Sequence, residues 1–127
     1  MRPGERGTAA EQLANLRRAI TGLRPLLAEP GGLVITHGNG PQVGNELLRQ
    51  ERAAAEAPPL PLWLAVAQTQ AEIGALIAAE LRPALDDREV ACLLTHVTVA
   101  HDDPAFDRPT KPIGPCYSAE QAEVLEH

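Results

Sequence analysis

The sequence has 127 residues and a net charge of −6, with eleven basic residues against seventeen acidic ones. This length predicts one domain or part of one, and the acidic balance disfavours a nucleic-acid surface or a polybasic membrane anchor. Two cysteines are too few for a disulfide framework, and neither a signal peptide nor a membrane-spanning segment is expected, so the sequence predicts a cytoplasmic protein.

The first predicted element is an amphipathic helix over about residues 9–28. Thr8 and Glu11 have the spacing of a capping box, and leucine and isoleucine then recur at helical intervals. Pro25 lacks a backbone donor, so we expect a bend or an early end in the last turns of this helix.

Two strands and two more helices are predicted further along the chain. The apolar, β-branched run from Leu33 to Thr36 is typical of a strand that is covered on both faces. The glycine turn after it leads into a helix with Pro41 at its first position, and a third helix carries the apolar positions from Ala65 to Leu81. A second strand is expected from about Glu89 to Val99.

The remaining carboxyl-terminal residues predict an ordered loop and the start of another helix. The loop is rich in proline and runs from Ala100 to Tyr117, and Ser118 with Gln121 resembles a helix start. The alternating order of helices and strands predicts an α/β fold with a mostly parallel sheet. Two strands leave the apolar edges of such a sheet open, so we expect residues 1–127 to form only part of a domain.

Gly38, Asn39 and Gly40 lie in the stretch THGNGPQVG, where the first predicted strand is followed by a helix. The spacing fits neither the dinucleotide-binding fingerprint nor a P-loop. The end of a strand before a helix is nevertheless where open α/β sheets bind ligands, and glycines let backbone N–H groups approach an anion. The Asn39 amide both donates and accepts, which suits a carboxylate-like or carbamate-like group. Alternatively the glycines only make a tight turn between strand and helix, and asparagine also tolerates left-handed turn geometry for purely structural reasons.

Lys111 lies in the proline-rich stretch PTKPIGP. Prolines restrict the backbone on either side, so the ammonium group is a candidate for binding a phosphate. The alternative is a solvated surface lysine without a role. Four other side chains nearby suggest a metal cluster: His96, His101, Asp102 and Asp103. Their spacing matches no helical or hairpin ligand pair, so no metal site is predicted.

Four stretches together resemble the amino-terminal part of the carbamate kinase family, in the amino acid kinase superfamily: RGTAAEQLANLRRA, VITHGNGPQVGNELL, QTQAEIGALI and DDPAFDRPTKPIGP. The resemblance runs nearly end to end. It implies a three-layer α/β/α sandwich with a mostly parallel sheet, a homodimer, and reversible phosphoryl transfer between ATP and carbamate with magnesium. In arginine breakdown, members of the family form ATP from ADP and carbamoyl phosphate.

The resemblance also implies roles for individual residues. Gly38, Asn39 and Gly40 would hold the carbamate or the transferred phosphoryl group, and Lys111 would contact the phosphoryl group. A first strand ending in Gly-Gly-Asn and the nucleotide-binding half of the family would lie outside the 127 residues. The chain by itself is therefore expected to be inactive.

Two alternatives stay open at this point. The chain could belong to another kinase of the amino acid kinase superfamily, which phosphorylates a different small acid. It could instead be a truncated, non-catalytic remnant that acts as a structural or interaction fragment. Substrate profiling of a lengthened protein would distinguish a carbamate kinase from a kinase of another small acid. Failure of any lengthened protein to show activity would support a non-catalytic remnant.

Overall fold

The structure is a computed structural model that describes residues 5, 7–85, 87–111 and 113. Within these ranges the regular elements are three α-helices and one short 3₁₀ helix. Helix α1 spans Ala9–Leu27, α2 spans Gly40–Ala53, α3 spans Leu62–Leu81, and the 3₁₀ helix spans Arg82–Ala84. The helix start expected at Ser118 and the end of the loop before it lie outside the described residues.

Helix α1 begins where the sequence predicts, because a capping box closes its first turn. The Thr8 hydroxyl oxygen accepts from the backbone N–H of Glu11, and the Glu11 carboxylate accepts in return from the backbone N–H of Thr8, at 2.8 Å. The helix continues through Pro25 as far as Leu27, so the expected early end does not occur. Pro25 lies in the last turn, where its missing N–H removes only one bond of the helical ladder.

The two segments predicted as strands are non-helical but unpaired in the part of the chain that the structure describes. Residues 33–36 and 89–99 form no β-ladder there, so the sheet of the expected α/β/α sandwich is not confirmed. A parallel strand needs a neighbouring strand for its backbone N–H and C=O groups, and each segment packs instead against helices. One side chain from each segment, Ile35 and Val90, packs against the core. Other aliphatic side chains of these segments are 87%, 82% and 85% exposed: Val34, Leu93 and Val97.

The core lies between the carboxyl-terminal parts of α1 and α3. Its buried side chains are Ile20, Leu27, Leu81 and Leu85. Both α1 and α2 pack against α3. Gln12 of α1 also links all three helices, because its amide nitrogen donates to the Glu72 carboxylate of α3 at 3.1 Å and its amide oxygen accepts from Gln42 of α2 at 3.0 Å. Helix α3 is therefore the element on which the other two are assembled.

Helix α3 and the 3₁₀ helix together are long and apolar enough to cross a membrane, by length and composition only. The sequence expectation that no segment reaches this length is therefore wrong. Two acidic residues of α3, Glu72 and Glu80, bind Gln12 and Arg17 of α1. Core helices of soluble proteins meet the same criterion, and α3 packs against both other helices, so this is weak evidence for a membrane span.

Gly74 lets α3 contact the second non-helical segment directly. A Cβ atom at this buried glycine would collide with the Cys92 sulfur and would lie 3.5 Å from the Cys92 Cβ atom. Because glycine has no side chain, the Cys92 sulfur lies against the helix backbone, and a larger residue at position 74 would force the Cys92 side chain to move. The absence of a Cβ atom at Gly74 therefore helps to set the position of the Cys92 side chain.

We expect Gly74→Ala to forfeit most of the roughly 1 kcal/mol that alanine gains over glycine inside a helix, because the added methyl group overlaps the Cys92 sulfur and forces that side chain to move. Cys92→Ala removes that sulfur, so the double variant should recover most of the loss. The measurement is the free energy of unfolding in urea for the four proteins of this double-mutant cycle. Gly22→Ala is the matched control, since its new methyl group meets nothing within 4 Å. A loss that Cys92→Ala does not relieve would contradict the contact.

Arg17 of α1 and Glu80 of α3 form a bidentate ion pair, with both nitrogen–oxygen distances at 2.9 Å. The hydrogen bond from Arg17 holds the pKa of Glu80 below its ordinary value of 4.5. Since the folded state has the lower pKa, the stabilisation is present above pH 4.5 and is lost as the pH falls through the folded value.

We therefore expect the stability of the wild-type chain to fall more steeply with acidification below pH 4.5 than that of Glu80→Gln. Urea unfolding at a series of pH values measures this difference. Glu56→Gln, at an exposed position without an ion pair among the described residues, serves as the control and should follow the wild type. Parallel profiles for the wild type and Glu80→Gln would show that the ion pair does not contribute to stability.

Candidate functional site

The glycine turn, residues 38–40, leads directly into α2. Asn39 is the residue before the helix, Gly40 is its first residue, and Pro41 is its second, one position later than expected. The missing N–H of Pro41 costs nothing there, because the N–H groups of the first turn have no acceptor within the helix. No acidic side chain occupies this first turn. The positive end of the helix dipole is therefore not neutralised by its own helix.

The backbone of the turn does not require glycine. Neither Gly38 nor Gly40 has a positive φ, and a Cβ atom at either position would meet no other atom within 4 Å. Asn39 is not left-handed either, with φ −136° and ψ 11°. Neither the two glycines nor Asn39 adopts the left-handed backbone conformation for which these residue types are often needed. Its glycines leave open space beside the backbone.

The Asn39 side chain binds α3 and does not cap α2. Its amide nitrogen donates to the Val66 backbone carbonyl at 3.1 Å and to the Thr69 hydroxyl oxygen at 2.9 Å. A carbonyl oxygen only accepts hydrogen bonds, so the amide nitrogen must be the atom that faces Val66. Thr69 is 1% exposed. The glycine turn is thereby fastened to a buried side chain of α3.

The Asn39 amide oxygen, Oδ1, has no hydrogen-bond partner among the described residues. From the sequence, this amide is expected to donate and accept at once toward a ligand. The structure narrows that expectation, because the donor side is already used within the protein. What Asn39 offers to a ligand is an acceptor.

Lys111 is exposed and non-helical. It forms no hydrogen bond or ion pair with any residue that the structure describes. It follows a series of turns in which the Asp103 carbonyl accepts from Phe106 and the Pro104 carbonyl accepts from Arg108. No such bond joins Lys111 to the glycine turn within the described ranges, so its place beside a phosphoryl group stays a prediction.

A second polar side chain of α3 binds the other non-helical segment. The Gln70 amide oxygen accepts from the Thr95 backbone N–H at 2.9 Å, and the Gln70 amide nitrogen donates to the Thr95 carbonyl at 3.1 Å. The Gln70 amide thus exchanges the two bonds that neighbouring antiparallel strands exchange through their backbones. Sequence reasoning missed the roles of both Thr69 and Gln70. The available signal was a polar run, Gln-Thr-Gln, inside an otherwise apolar helix.

A separate open groove of about 540 Å³ lies beside the carboxyl end of α1. Arg24 and Arg88 are among its lining residues, and Arg88 donates to the Leu27 backbone carbonyl at the end of α1. None of the residues predicted for the site lines this groove.

The described residues do not form a site for a divalent cation. None of them belongs to a group of three or more His, Cys, Asp or Glu side chains that could hold a metal ion. His96 lies beside the Trp63 ring instead, with 6.1 Å between the ring centroids. The glycine turn offers backbone N–H groups and one amide oxygen, a set that suits an anion better than magnesium. We therefore assign no magnesium to the described residues.

Comparison with known proteins gives the family. No family model matches the chain. Carbamate kinase 2 of Staphylococcus aureus strain MRSA252 is 42% identical over 124 residues, which cover 94% of this chain and 40% of that protein. The chain is a relative of the carbamate kinases. The resemblance seen in the sequence motifs is thereby confirmed.

Two solved structures show the same relationship. A protein from Aeropyrum pernix K1 has a TM-score of 0.84 and 39% identity, and the match covers 98% of this chain and 41% of that one. The carbamate kinase of Giardia lamblia bound to citric acid has a TM-score of 0.81 and 32% identity, over 98% of this chain and 42% of that one. The backbone path therefore agrees with a carbamate kinase even where the described residues form no ladder. The chain spans about 40% of the length of the curated carbamate kinases that it matches.

We expect Gln70→Ala to loosen the segment around Thr95, because it removes both the oxygen that accepts from the Thr95 N–H and the nitrogen that donates to the Thr95 carbonyl. Exchange of the Thr95 backbone amide with deuterium should become roughly fivefold faster, the effect of losing about one net hydrogen bond. Gln68→Ala is the matched control on the same helix, since the Gln68 side chain is exposed and forms no hydrogen bond with another described residue. Unchanged exchange at Thr95 in Gln70→Ala would refute the pairing.

Proposed function

We propose that the chain provides the substrate-binding part of a carbamate kinase, with the glycine turn as one wall of a site for carbamate and the transferred phosphoryl group. The observation that carries this proposal is that nothing in the described structure requires glycine at positions 38 and 40. Glycines without a conformational reason leave the backbone N–H groups open to close approach by a ligand. The motif that contains them is one of those shared with the family.

The charge at the turn supports an anionic ligand. The turn meets the amino-terminal end of α2, whose free N–H groups and dipole favour negative charge. The first turn of α2 carries no carboxylate that would compete for these groups. A carbamate carboxylate or a phosphoryl group has the charge and the acceptor oxygens to use them.

In the proposed reaction, a phosphoryl group passes between a carbamate oxygen and the terminal phosphate of ADP. Phosphoryl transfer depends mainly on positioning and on neutralising charge on the phosphoryl oxygens. Lys111 is the single lysine of the sequence and is exposed. We assign to it the positive charge that contacts the phosphoryl group.

Other parts of the proposal come from the family resemblance. The nucleotide would be ATP or ADP, bound with magnesium, and the protein would act as a cytoplasmic homodimer that forms ATP from carbamoyl phosphate in arginine breakdown. Residues 1–127 would be part of one α/β/α domain. Because these residues match about 40% of the curated relatives, we propose complete turnover only for a protein that also has counterparts of their remaining length.

The test uses a hybrid in which this chain replaces the matching part of the S. aureus carbamate kinase. We expect the hybrid to form ATP from ADP and carbamoyl phosphate, and the 127-residue chain alone to form none. Lys111→Ala in the hybrid should reduce kcat by roughly 100-fold or more, as removal of one charge-stabilising group at a transition state does. Arg108→Ala, which removes a neighbouring exposed cation, is the matched control and should retain activity.

The outcomes separate the alternatives. Preference of the hybrid for another small acid, such as an acylated amino acid, would support a different kinase of the superfamily. A folded hybrid without any activity would support a structural remnant and would overturn the proposal. Full activity of Lys111→Ala would remove Lys111 from the site.

A further inference from the structure

We propose that Thr69 is a positioning residue for Asn39, and that Asn39 meets the substrate only as a hydrogen-bond acceptor, through Oδ1. This inference rests on the proposed carbamate site at the glycine turn. In that site, Asn39 provides the selectivity for an acid that carries an amino group. Oδ1 accepts from an N–H of the carbamate amino group. Asn39 thus recognises the nitrogen of the small acid, while the backbone N–H groups of the turn face its carboxylate or the phosphoryl group.

The hydrogens around Asn39 are all accounted for. An asparagine amide has two N–H hydrogens, and the Asn39 nitrogen faces two acceptors, the Val66 carbonyl and the Thr69 hydroxyl oxygen. The Thr69 hydroxyl has one hydrogen, and its oxygen lies 3.0 Å from the Ala65 carbonyl oxygen and 3.1 Å from that of Val66. Thr69 therefore donates within α3 and accepts from Asn39. With one amide hydrogen directed at each of these two acceptors, none remains for a ligand.

Burial keeps this arrangement in place. Thr69 is 1% exposed, so water does not reach its hydroxyl to replace the Asn39 amide. A flipped Asn39 amide would point its oxygen at the Val66 carbonyl, which has no hydrogen to offer. The flip would lose the bond to Val66, and a bond from the Thr69 hydroxyl to the flipped oxygen would cost that hydroxyl its own bond within α3. The acceptor orientation of Asn39 is thus fixed by α3 before any ligand arrives.

The free acceptor discriminates between acids of similar shape. Carbamate and its phosphate carry an amino group with two hydrogens, whereas acetate and acetyl phosphate carry a methyl group of similar size. Only the amino group can donate to Oδ1. A site built to bond an N–H disfavours the analogue without one, because its own polar group is left unpaired.

The positioning step is tested on the chain without any ligand, by NMR of the Asn39 side-chain amide. In the wild type, both amide hydrogens should exchange with solvent more slowly than those of free asparagine. Thr69→Val keeps the size of the side chain but removes the acceptor, so protection of at least one hydrogen should fall, while Thr69→Ser should keep it. Thr21→Val is the matched control: Thr21 also bonds a carbonyl one turn earlier in its helix, that of Arg17, at 2.8 Å, and is exposed.

Two results would overturn the positioning step. One is exchange of both Asn39 hydrogens at the free rate in the wild type, a measurement that does not depend on whether any variant folds. The other is unchanged protection in a folded Thr69→Val.

The acceptor role is tested by titrating the hybrid with the S. aureus carbamate kinase, in the absence of nucleotide, with carbamoyl phosphate and with acetyl phosphate. We expect the wild type to bind carbamoyl phosphate roughly fivefold more tightly, the ratio that one neutral hydrogen bond provides. Thr69→Val should lower the ratio of the two dissociation constants, because the Val66 carbonyl alone then orients the amide, and Thr69→Ser should preserve the ratio. Equal binding of both compounds by a wild type with protected Asn39 hydrogens would overturn the acceptor role. Binding of neither would overturn the proposed substrate site, while slow exchange would still support the positioning by Thr69.

Discussion

The described structure depends on hydrogen bonds from polar side chains that α3 carries within an apolar sequence. Thr69 accepts from the Asn39 amide, and Gln70 pairs with the Thr95 backbone. A third contact, the ion pair with α1, lies near the end of the same helix. Each bond joins α3 to a different part of the chain, so a rotation of α3 about its axis would break all of them together. One helix thereby fixes the relative positions of α1, the glycine turn and the second non-helical segment.

The glycine turn combines an anchored side chain with an open backbone. Asn39 is held from α3, whereas the glycines on either side of it have free space where side chains would lie. Catalysis of phosphoryl transfer depends on groups that are already in position before the reaction begins. In the proposed carbamate kinase site, the bonds from Asn39 to α3 hold the turn in position before a ligand binds. The open space beside Gly38 and Gly40 lets a ligand approach the backbone without displacing the turn.

The sequence predicted what depends on neighbours along the chain. The capping box at Thr8 and the helical spacing after it are local, and α1 begins as expected. The sheet depends on pairing between distant segments, which a β-branched pattern at residues 33–36 does not supply. The bond between Asn39 and Thr69 joins residues 30 positions apart, so no spacing rule finds it. The motif around Lys111 predicts a role in the site, but the contacts of this side chain depend on groups that the motif does not specify.

The aliphatic side chains left in water bear on the thermodynamics of the fold. Val34, Leu93 and Val97 are 87%, 82% and 85% exposed, so folding removes little of their surface from solvent. The heat-capacity change of unfolding follows the apolar surface that becomes newly hydrated, and these side chains add almost nothing to it. A fully packed domain of equal length would be expected to have a larger heat-capacity change, and therefore a more strongly curved dependence of stability on temperature.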